Sequence, residues 1–203
     1  NESASLYRYQ RLMELVNANG KNTVQKTVNI LRDRKGLHNT DIGNGNEKAI
    51  NQLIAHHSVV FEPQKRIVWV STSPWQLGQY VAYDLKKVFA LKGLKENIEI
   101  SEANLGIAAD SFLLTHQYRN FENFRKFKRH IADGEDINVD SLVASNPQFY
   151  DVYMLAGDYM YNKNNFDKAL QFYKLALTKV IATKKESDHI KDRIKLINNK
   201  TAQ

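Results

Sequence analysis

Residues 56 to 71 read HHSVVFEPQKRIVWVS, and this stretch decides the fold class. His57 to Phe61 is a short β-branched and aromatic run, Glu62-Pro63-Gln64-Lys65 has the composition of a turn, and Arg66 to Ser71 is a second such run. Two β-type runs joined by four turn residues predict a β-hairpin. The period of two along the second run puts Ile67, Trp69 and Ser71 on one face and Val68 and Val70 on the other. Both faces carry apolar groups, which predicts a hairpin inside a layered structure rather than at a wet surface. A third run, Gly78 to Tyr83 (GQYVAY), reads as another strand or as the lead into a helix ending near Ala90, with the strand preferred. Three strands do not complete a globular sheet covered on both sides. The expected fold is therefore α+β with an unfinished sheet, its neighbouring strands missing from this sequence or supplied by another chain.

Upstream of the hairpin, residues 5 to 18 (SLYRYQRLMELVNA) place Leu6, Tyr9, Leu12 or Met13, and Val16 on one face of an amphipathic helix that Asn19-Gly20 stops. Asn22 or Thr23 can cap a second helix, in which Val24, Val28 and Leu31 recur at helical spacing. Asp33 follows Arg32 directly and is expected to cap or salt-bridge the end of that helix. From Lys35-Gly36 to Asn46 the chain reads as a polar loop, with low propensity for either regular state.

Downstream, Asn97 to about Glu102 is hinge-like. A long helical region through Ile131 then carries Ile107, Phe112, Leu114, Tyr118, Phe121, Phe124 and Phe127 and ends at Asp133-Gly134. Asp140-Ser141 can cap a short helix over Leu142 and Val143, and Pro147 opens the next one. Residues Gln148 to Asn162 and Phe166 to Thr183 form two helical stretches around the turn Lys163-Asn164-Asn165. Tyr153, Ala156, Gly157, Phe166, Ala169, Tyr173 and Ala176 lie at the small and aromatic positions of a helix-turn-helix repeat about 34 residues long, and the stretch resembles a tetratricopeptide repeat. Gly157 and Ala169 are small where two antiparallel helices approach, and Tyr153 and Tyr173 fill the groove beside them. A last helix, Lys185 to Asn198, has Ile190, Ile194 and Ile197 on a stripe and basic residues outside, as a capping helix does. The region from 107 to 143 admits a degenerate preceding repeat. A buttress packed on the body is preferred for the repeat over a groove for a protein or peptide partner.

Composition bounds the function. The chain has 203 residues, 42% hydrophobic, and no apolar stretch near the length of a membrane span. It has no Cys, which removes disulfides, thiolate metal sites and thiol catalysis from these residues without fixing the compartment. The formal charge of +7 raises nucleic acid as a partner, and the densest basic stretch is Arg119 to Arg129. Phe121, Phe124 and Phe127 share that helix, so the basic residues read as its solvated side and no nucleic-acid partner is expected. His56-His57 lacks a third ligand at metal-site spacing and is read as a pair of strand-edge histidines. Asp41, Glu47 and Glu62 could be grouped with Ser58, Ser71 or Ser73 as a triad, but no nucleophile-elbow signature surrounds any of these serines. No cofactor and no metal site is expected.

Ser5-x-x-Arg8 with Tyr9 and the following RLMELV, ILRD at 30 to 33, HHSVVFEPQKRIVWVS at 56 to 71 and GQYVAYDL at 78 to 85 occur in a telling order. Over about residues 1 to 90 they resemble the later part of the penicillin acyltransferase-like and choloylglycine hydrolase-like cysteine N-terminal-nucleophile enzymes. The resemblance implies an αββα fold of two antiparallel sheets between helical layers. It also implies hydrolysis of, or acyl transfer from, an amide by an N-terminal Cys whose own α-amine is the base. Arg8 matches the family arginine placed near the nucleophile, which makes it an auxiliary catalytic residue; the alternative is an exposed helix arginine. With no Cys, the nucleophile has to come from a preceding part. The start Asn1-Glu2-Ser3 is neither an initiator Met nor a signal peptide, so the chain is expected to be a C-terminal fragment or subunit, inert alone. The implied partners are the N-terminal portion or chain of the same enzyme and a small amide substrate. The compartment is unknown, and in an exported protein the signal would belong to that N-terminal part. The expected organisation is residues 1–96 as the later part of the hydrolase-like domain, 97–147 as a helical connector and 148–203 as the helical hairpin with its capping helix.

Overall fold

The computed structural model describes residues 3–18, 20–93 and 98–201. The chain start at Asn1, the helix stop at Asn19, the 96/97 boundary and the first hinge residue, Asn97, lie outside them. The described residues form a mixed α+β domain of several helices and one small antiparallel sheet. Strands β1 (Val59–Glu62), β2 (Ile67–Ser71) and β3 (Tyr80–Asp84) follow one another as a meander. Glu62 pairs with Ile67, so the connection is 63–66, one residue later than composition predicts. Arg66 closes it with φ 58° and donates its N–H to the Pro63 carbonyl at 3.1 Å; this left-handed residue cannot extend the strand. β3 leads directly into helix α3 (Leu85–Ala90), whose N-cap is Asp84, so strand and helix succeed each other across 80–90.

The register stacks Val60, Trp69 and Ala82 on one face. Helix α2 (Val24–Leu31) covers that face, with Val24, Val28 and Leu31 packed against Val60, Trp69, Tyr80 and Ala82. Thr23 caps α2 by accepting the Lys26 N–H at 3.2 Å. The outer edge of β3 is met by Ile107, which exchanges backbone hydrogen bonds of 2.9 and 3.0 Å with Tyr80. The Trp69 indole donates to the Leu105 carbonyl at 2.8 Å. These bonds explain why Ile107 is extended and not helical: an edge strand's backbone groups need partners, and this segment supplies them. Helix α4 begins only at His116 and runs to Ala132, capped by Thr115, after a 3₁₀ turn over Ser111–Leu114 capped by Asp110.

The opposite face of the sheet carries Val59, Val70 and Val81 in one row and Phe61, Val68 and Tyr83 in the next. None of the six joins either buried apolar cluster; Val59 and Phe61 are exposed, Val70, Val81 and Tyr83 are half-buried, and the central Val68 is buried. Among the described residues this face is therefore open at its β1 edge and only partly covered elsewhere. A two-sided apolar pattern predicts a second layer, and these residues do not provide it.

Helix α1 (Ala4–Ala18) is inverted relative to its pattern. Tyr7 and Arg11 are buried, while Leu6, Tyr9, Leu12, Met13 and Val16 are exposed. The Arg11 guanidinium donates to both oxygens of Asp33 at 2.9 and 3.0 Å, to Glu14 at 3.1 Å and to Asn39 at 2.8 Å. The Tyr7 hydroxyl accepts the Leu37 N–H at 3.0 Å. Asp33 thus salt-bridges α1 rather than the end of its own helix. A polar side chain so fully bonded docks this helix, and the apolar stripe points out.

The C-terminal half comprises α5 (Val139–Ser145), α6 (Tyr150–Asn162), α7 (Phe166–Leu177) and α8 (Lys184–Thr201). Asn138 caps α5 ahead of Asp140-Ser141, accepting the Ser141 N–H at 2.8 Å. Asn165, the last residue of the turn, caps α7 by accepting the Lys168 N–H at 3.2 Å. α7 stops at Leu177, short of Thr183, because Thr183 instead begins α8 in a reciprocal cap with Glu186. A Cβ at Gly157 would lie 2.6 Å from the Tyr173 ring, so only glycine allows the α6–α7 approach. The main core joins Phe112, Phe121 and Phe124 to Tyr153, Ala156, Ala169, Tyr173, Ile190 and Ile197, and it takes in Leu53 and Leu77 from the first half.

Candidate functional site

Arg8 stands on the first turns of α1, where its Nη2 donates to Ser5 Oγ at 3.2 Å, so the two fixed residues of the Ser-x-x-Arg element bind each other. Its Nη1 donates to the backbone carbonyl of Glu47. Glu47 belongs to a loop that side-chain amides hold in place. Asn46 is fully buried and donates to the Ile42 and Val180 carbonyls at 3.1 and 2.8 Å, and Asn51 donates to the Trp75 carbonyl at 3.1 Å. Gly43, with φ 80°, lets this loop cross Phe149, where a Cβ would meet the backbone at 2.5 Å. Arg8 is thereby anchored to a segment tied to both halves of the chain.

Glu47 forms the exposed rim of a cleft of about 620 Å³. The walls are Ile54, His56 and Trp75 from the first half, Phe124, Arg125 and Lys128 from α4, Tyr150, Asp151 and Met154 from α6, and Glu186 from α8. Arg125 lies 4.5 Å from the Trp75 ring centre and His56 6.3 Å from it, so the indole is flanked by two basic groups. Lys128 Nζ donates to Asp151 Oδ2 at 2.8 Å. Glu186 accepts from the Thr183 hydroxyl at 2.9 Å.

Asp151 and Glu47 are shifted by their surroundings. Burial pushes Asp151 above the ordinary aspartate value, against the opposing pull of Lys128. Glu47 is also raised, first by desolvation against the cleft wall and then by the charges of Glu186 and Asp151, with Arg8 and Lys128 opposing. Burial and the hydrogen bond to Glu186 hold the Tyr150 phenol far above its usual range, so it stays a neutral donor. Three carboxyl groups beside an aromatic wall can bind and orient a basic or hydrogen-bond-donating group. Among the described residues the cleft lining contains no Ser, Thr or Cys, and its one hydroxyl is the Tyr150 phenol.

The other residues weighed in the sequence are scattered. His57 is exposed and precedes β1, which begins at Val59; His56 and His57 thus lie outside the strand. The Ser58 hydroxyl pairs with the Tyr80 hydroxyl, and Ser71 Oγ accepts the Ser58 N–H at 2.7 Å, a polar clasp at the sheet end. Asp41 pairs with Lys35 at 3.1 Å and Glu62 with Lys65 at 3.0 Å, both at the surface. Among the described residues no three His, Asp or Glu side chains gather in a metal-binding arrangement, and no helix is long and apolar enough to cross a membrane. Sequence reasoning missed Arg11, although its i+4 spacing from Tyr7 was a readable signal. It also missed the Lys128–Asp151 pair and the Tyr150–Glu186 pair, for which separate helices leave no local pattern. Comparison of the chain with protein-family models, with curated proteins and with solved structures found no match.

Proposed function

We propose that this chain is the C-terminal part of a cysteine amidohydrolase or acyltransferase acting on a linear carbon–nitrogen amide bond, and that its N-terminal part supplies both the nucleophile and the second sheet layer. The observation that carries the reading is a pair of exposed apolar surfaces: the β1 edge of the sheet at Val59 and Phe61, and the outward stripe of α1 from Leu6 to Val16. Apolar surface loses about 25 cal/mol of stabilisation for each Å² left in water, so two such surfaces favour a covering segment. The ordered resemblance over residues 1 to 90 says what kind of segment: a sheet of an αββα fold that ends in an N-terminal Cys.

In that reading Arg8 is held ready by Ser5 and the Glu47 carbonyl, and the guanidinium N–H groups left over orient the nucleophile or a substrate carboxylate. The thiol attacks the amide carbonyl as its own α-amine takes the thiol proton, the C–N bond breaks as the amine leaves with that proton, and water or a second amine then cleaves the thioester to release the acyl group. The cleft beyond Glu47 is a place for the part of the substrate remote from the scissile bond. The rival reading, a peptide-binding module built on the helical hairpin, is weaker, because Tyr153, Gly157 and Tyr173 are taken up by the hairpin's own packing. The test uses the natural full-length polypeptide: N-terminal sequencing of the mature chains, followed by turnover of a panel of N-acyl amines before and after iodoacetamide. An N-terminal Cys whose alkylation abolishes turnover supports the proposal. A natural polypeptide without Cys, or turnover indifferent to alkylation, overturns it.

A further inference from the structure

The cleft beyond Glu47 is built on two residues in a backbone conformation that bulky side chains seldom adopt. Leu53 has φ 54° and Trp75 φ 50°. One fully buried side chain fixes both: the Asn51 amide donates to the Trp75 carbonyl at 3.1 Å, and its oxygen accepts the Leu53 N–H at 2.9 Å. Leu53 and Trp75 are thereby set into the lining of the cleft of about 620 Å³ before any ligand arrives. Leu53 is fully buried and shares the lining with Phe124 and Phe149, whose rings pack edge to face at 5.4 Å. Half-buried Trp75 completes an aromatic wall.

The polar part of the cleft holds more acid than base. Lys128 is paired with Asp151 at 2.8 Å, and Arg125 is paired with Glu122 at 3.2 Å and stacked on Trp75 at 4.5 Å. Among the described residues Glu186 accepts only from neutral donors, the Thr183 N–H and hydroxyl at 3.0 and 2.9 Å and the Tyr150 phenol. The Glu47 carboxylate makes no hydrogen bond or ion pair to the described residues; Arg8 takes its backbone carbonyl instead, and Lys48 lies over the Tyr7 ring at 4.8 Å. With the outer partners included, Glu47, Glu122, Asp151 and Glu186 stand against Arg8, Arg125 and Lys128, which leaves one negative charge without a cation. The carboxylates of Glu47 and Glu186 feel each other's charge across the cleft.

We propose that the cleft binds an arylalkyl ammonium group, its ring among Phe124, Phe149 and Trp75 and its ammonium donating to Glu47 and Glu186. The apolar walls account for the ring, and the uncompensated charge decides its substituent; a carboxylate placed there would meet two like charges. The binding assignment stands on the cleft alone. That this group is the remote part of the amide substrate rests on the hydrolase reading, which then makes the substrate class amides with a basic aryl group away from the scissile bond.

Calorimetric titration of the natural full-length polypeptide with phenethylamine and with 3-phenylpropionate tests the assignment, at one ionic strength and at pH 8, where free imidazole is uncharged and adds nothing to the balance. Wild type is compared with Glu47→Gln, which changes one exposed carboxylate and keeps the carbonyl that Arg8 uses. The double variant Glu47→Gln with Glu186→Gln removes both charges, and an amide oxygen at 186 still accepts the Thr183 bonds. The expected result is saturable amine binding at least about tenfold tighter than that of the carboxylate, weakened about threefold or more in the single variant and about tenfold or more in the double one. Should the double variant fail to fold, Glu47→Gln decides alone. Absence of saturable amine binding, equal or tighter binding of 3-phenylpropionate, or a loss below about threefold in Glu47→Gln overturns the proposal. The titration reads no turnover, so its failure leaves the hydrolase reading standing; turnover indifferent to iodoacetamide overturns that reading and leaves the amine site.

Discussion

In helix α1 the usual ranking of core and surface substitutions is expected to reverse. Arg11→Ala removes a side chain that is 3% exposed and leaves the carboxylates of Asp33 and Glu14, 14% and 27% exposed, without their guanidinium. Breaking a buried ion pair by removing one partner costs about 3 to 5 kcal/mol, and the partial solvent access of the two carboxylates puts this case near about 3 kcal/mol. Met13→Gln, two residues on, changes a side chain that is 37% exposed and belongs to neither apolar cluster. Helix propensities of Met and Gln are nearly equal, so the change should stay within about 0.5 kcal/mol. Urea unfolding of the 203-residue chain followed by circular dichroism gives both numbers from the midpoints at a common slope. A cost above about 2 kcal/mol for Met13→Gln together with less than about 1 kcal/mol for Arg11→Ala would refute the inverted docking of α1. If a second layer covers the stripe in the full-length polypeptide, the cost of Met13→Gln rises there to about 2 kcal/mol while that of Arg11→Ala is unchanged.

Gly157→Ala forces a methyl group to 2.6 Å from the Tyr173 ring; overpacking of about 1 to 3 kcal/mol outweighs the gain of under about 1 kcal/mol in helix propensity, and thermal melting should fall. Adding Tyr173→Leu should remove most of that penalty, and a double variant no more stable than Gly157→Ala would count against the close approach. For Asp151 the folded pKa is raised, so its contribution to stability is fully present below the ordinary aspartate value and is lost as pH rises through the raised one. Asp151→Asn does not titrate, and its stability relative to wild type should therefore increase from pH 4 to pH 8 in paired urea melts; a decrease would contradict the burial argument. Arg8→Met should lower amide turnover of the full-length polypeptide about a hundredfold while its urea midpoint moves little, because Arg8 bonds only a carbonyl and a hydroxyl at the surface.

The elements that sequence made legible are those whose signals are local. The hairpin, the Thr23 cap and the turn between α6 and α7 each depend on neighbours close in sequence. The misreadings have one physical cause, which is competition from distant partners. Ile107 gave up a helix to satisfy the β3 edge, Asp33 turned from its own helix to Arg11, and Thr183 left α7 to cap α8. The apolar stripe of α1 was read correctly as a stripe; which way it points was not legible, since that depends on how well Arg11 is hydrogen-bonded. Of the candidate site, the bond between Arg8 and Ser5 follows a local i+3 spacing, whereas the carboxyl groups of the cleft come from three further segments and have no shared pattern.

The central claim is that another polypeptide segment covers the sheet face of Phe61, Val70 and Val81 and brings the nucleophile with it. Hydroxyl-radical footprinting of Phe61 and Tyr83, read by mass spectrometry in the 203-residue chain and in the natural full-length polypeptide, tests it most directly. The account predicts strong labelling of Phe61 in the chain alone and protection of at least about tenfold in the full-length polypeptide, since a covered sheet face excludes water. Equal labelling of Phe61 in the two preparations would contradict it.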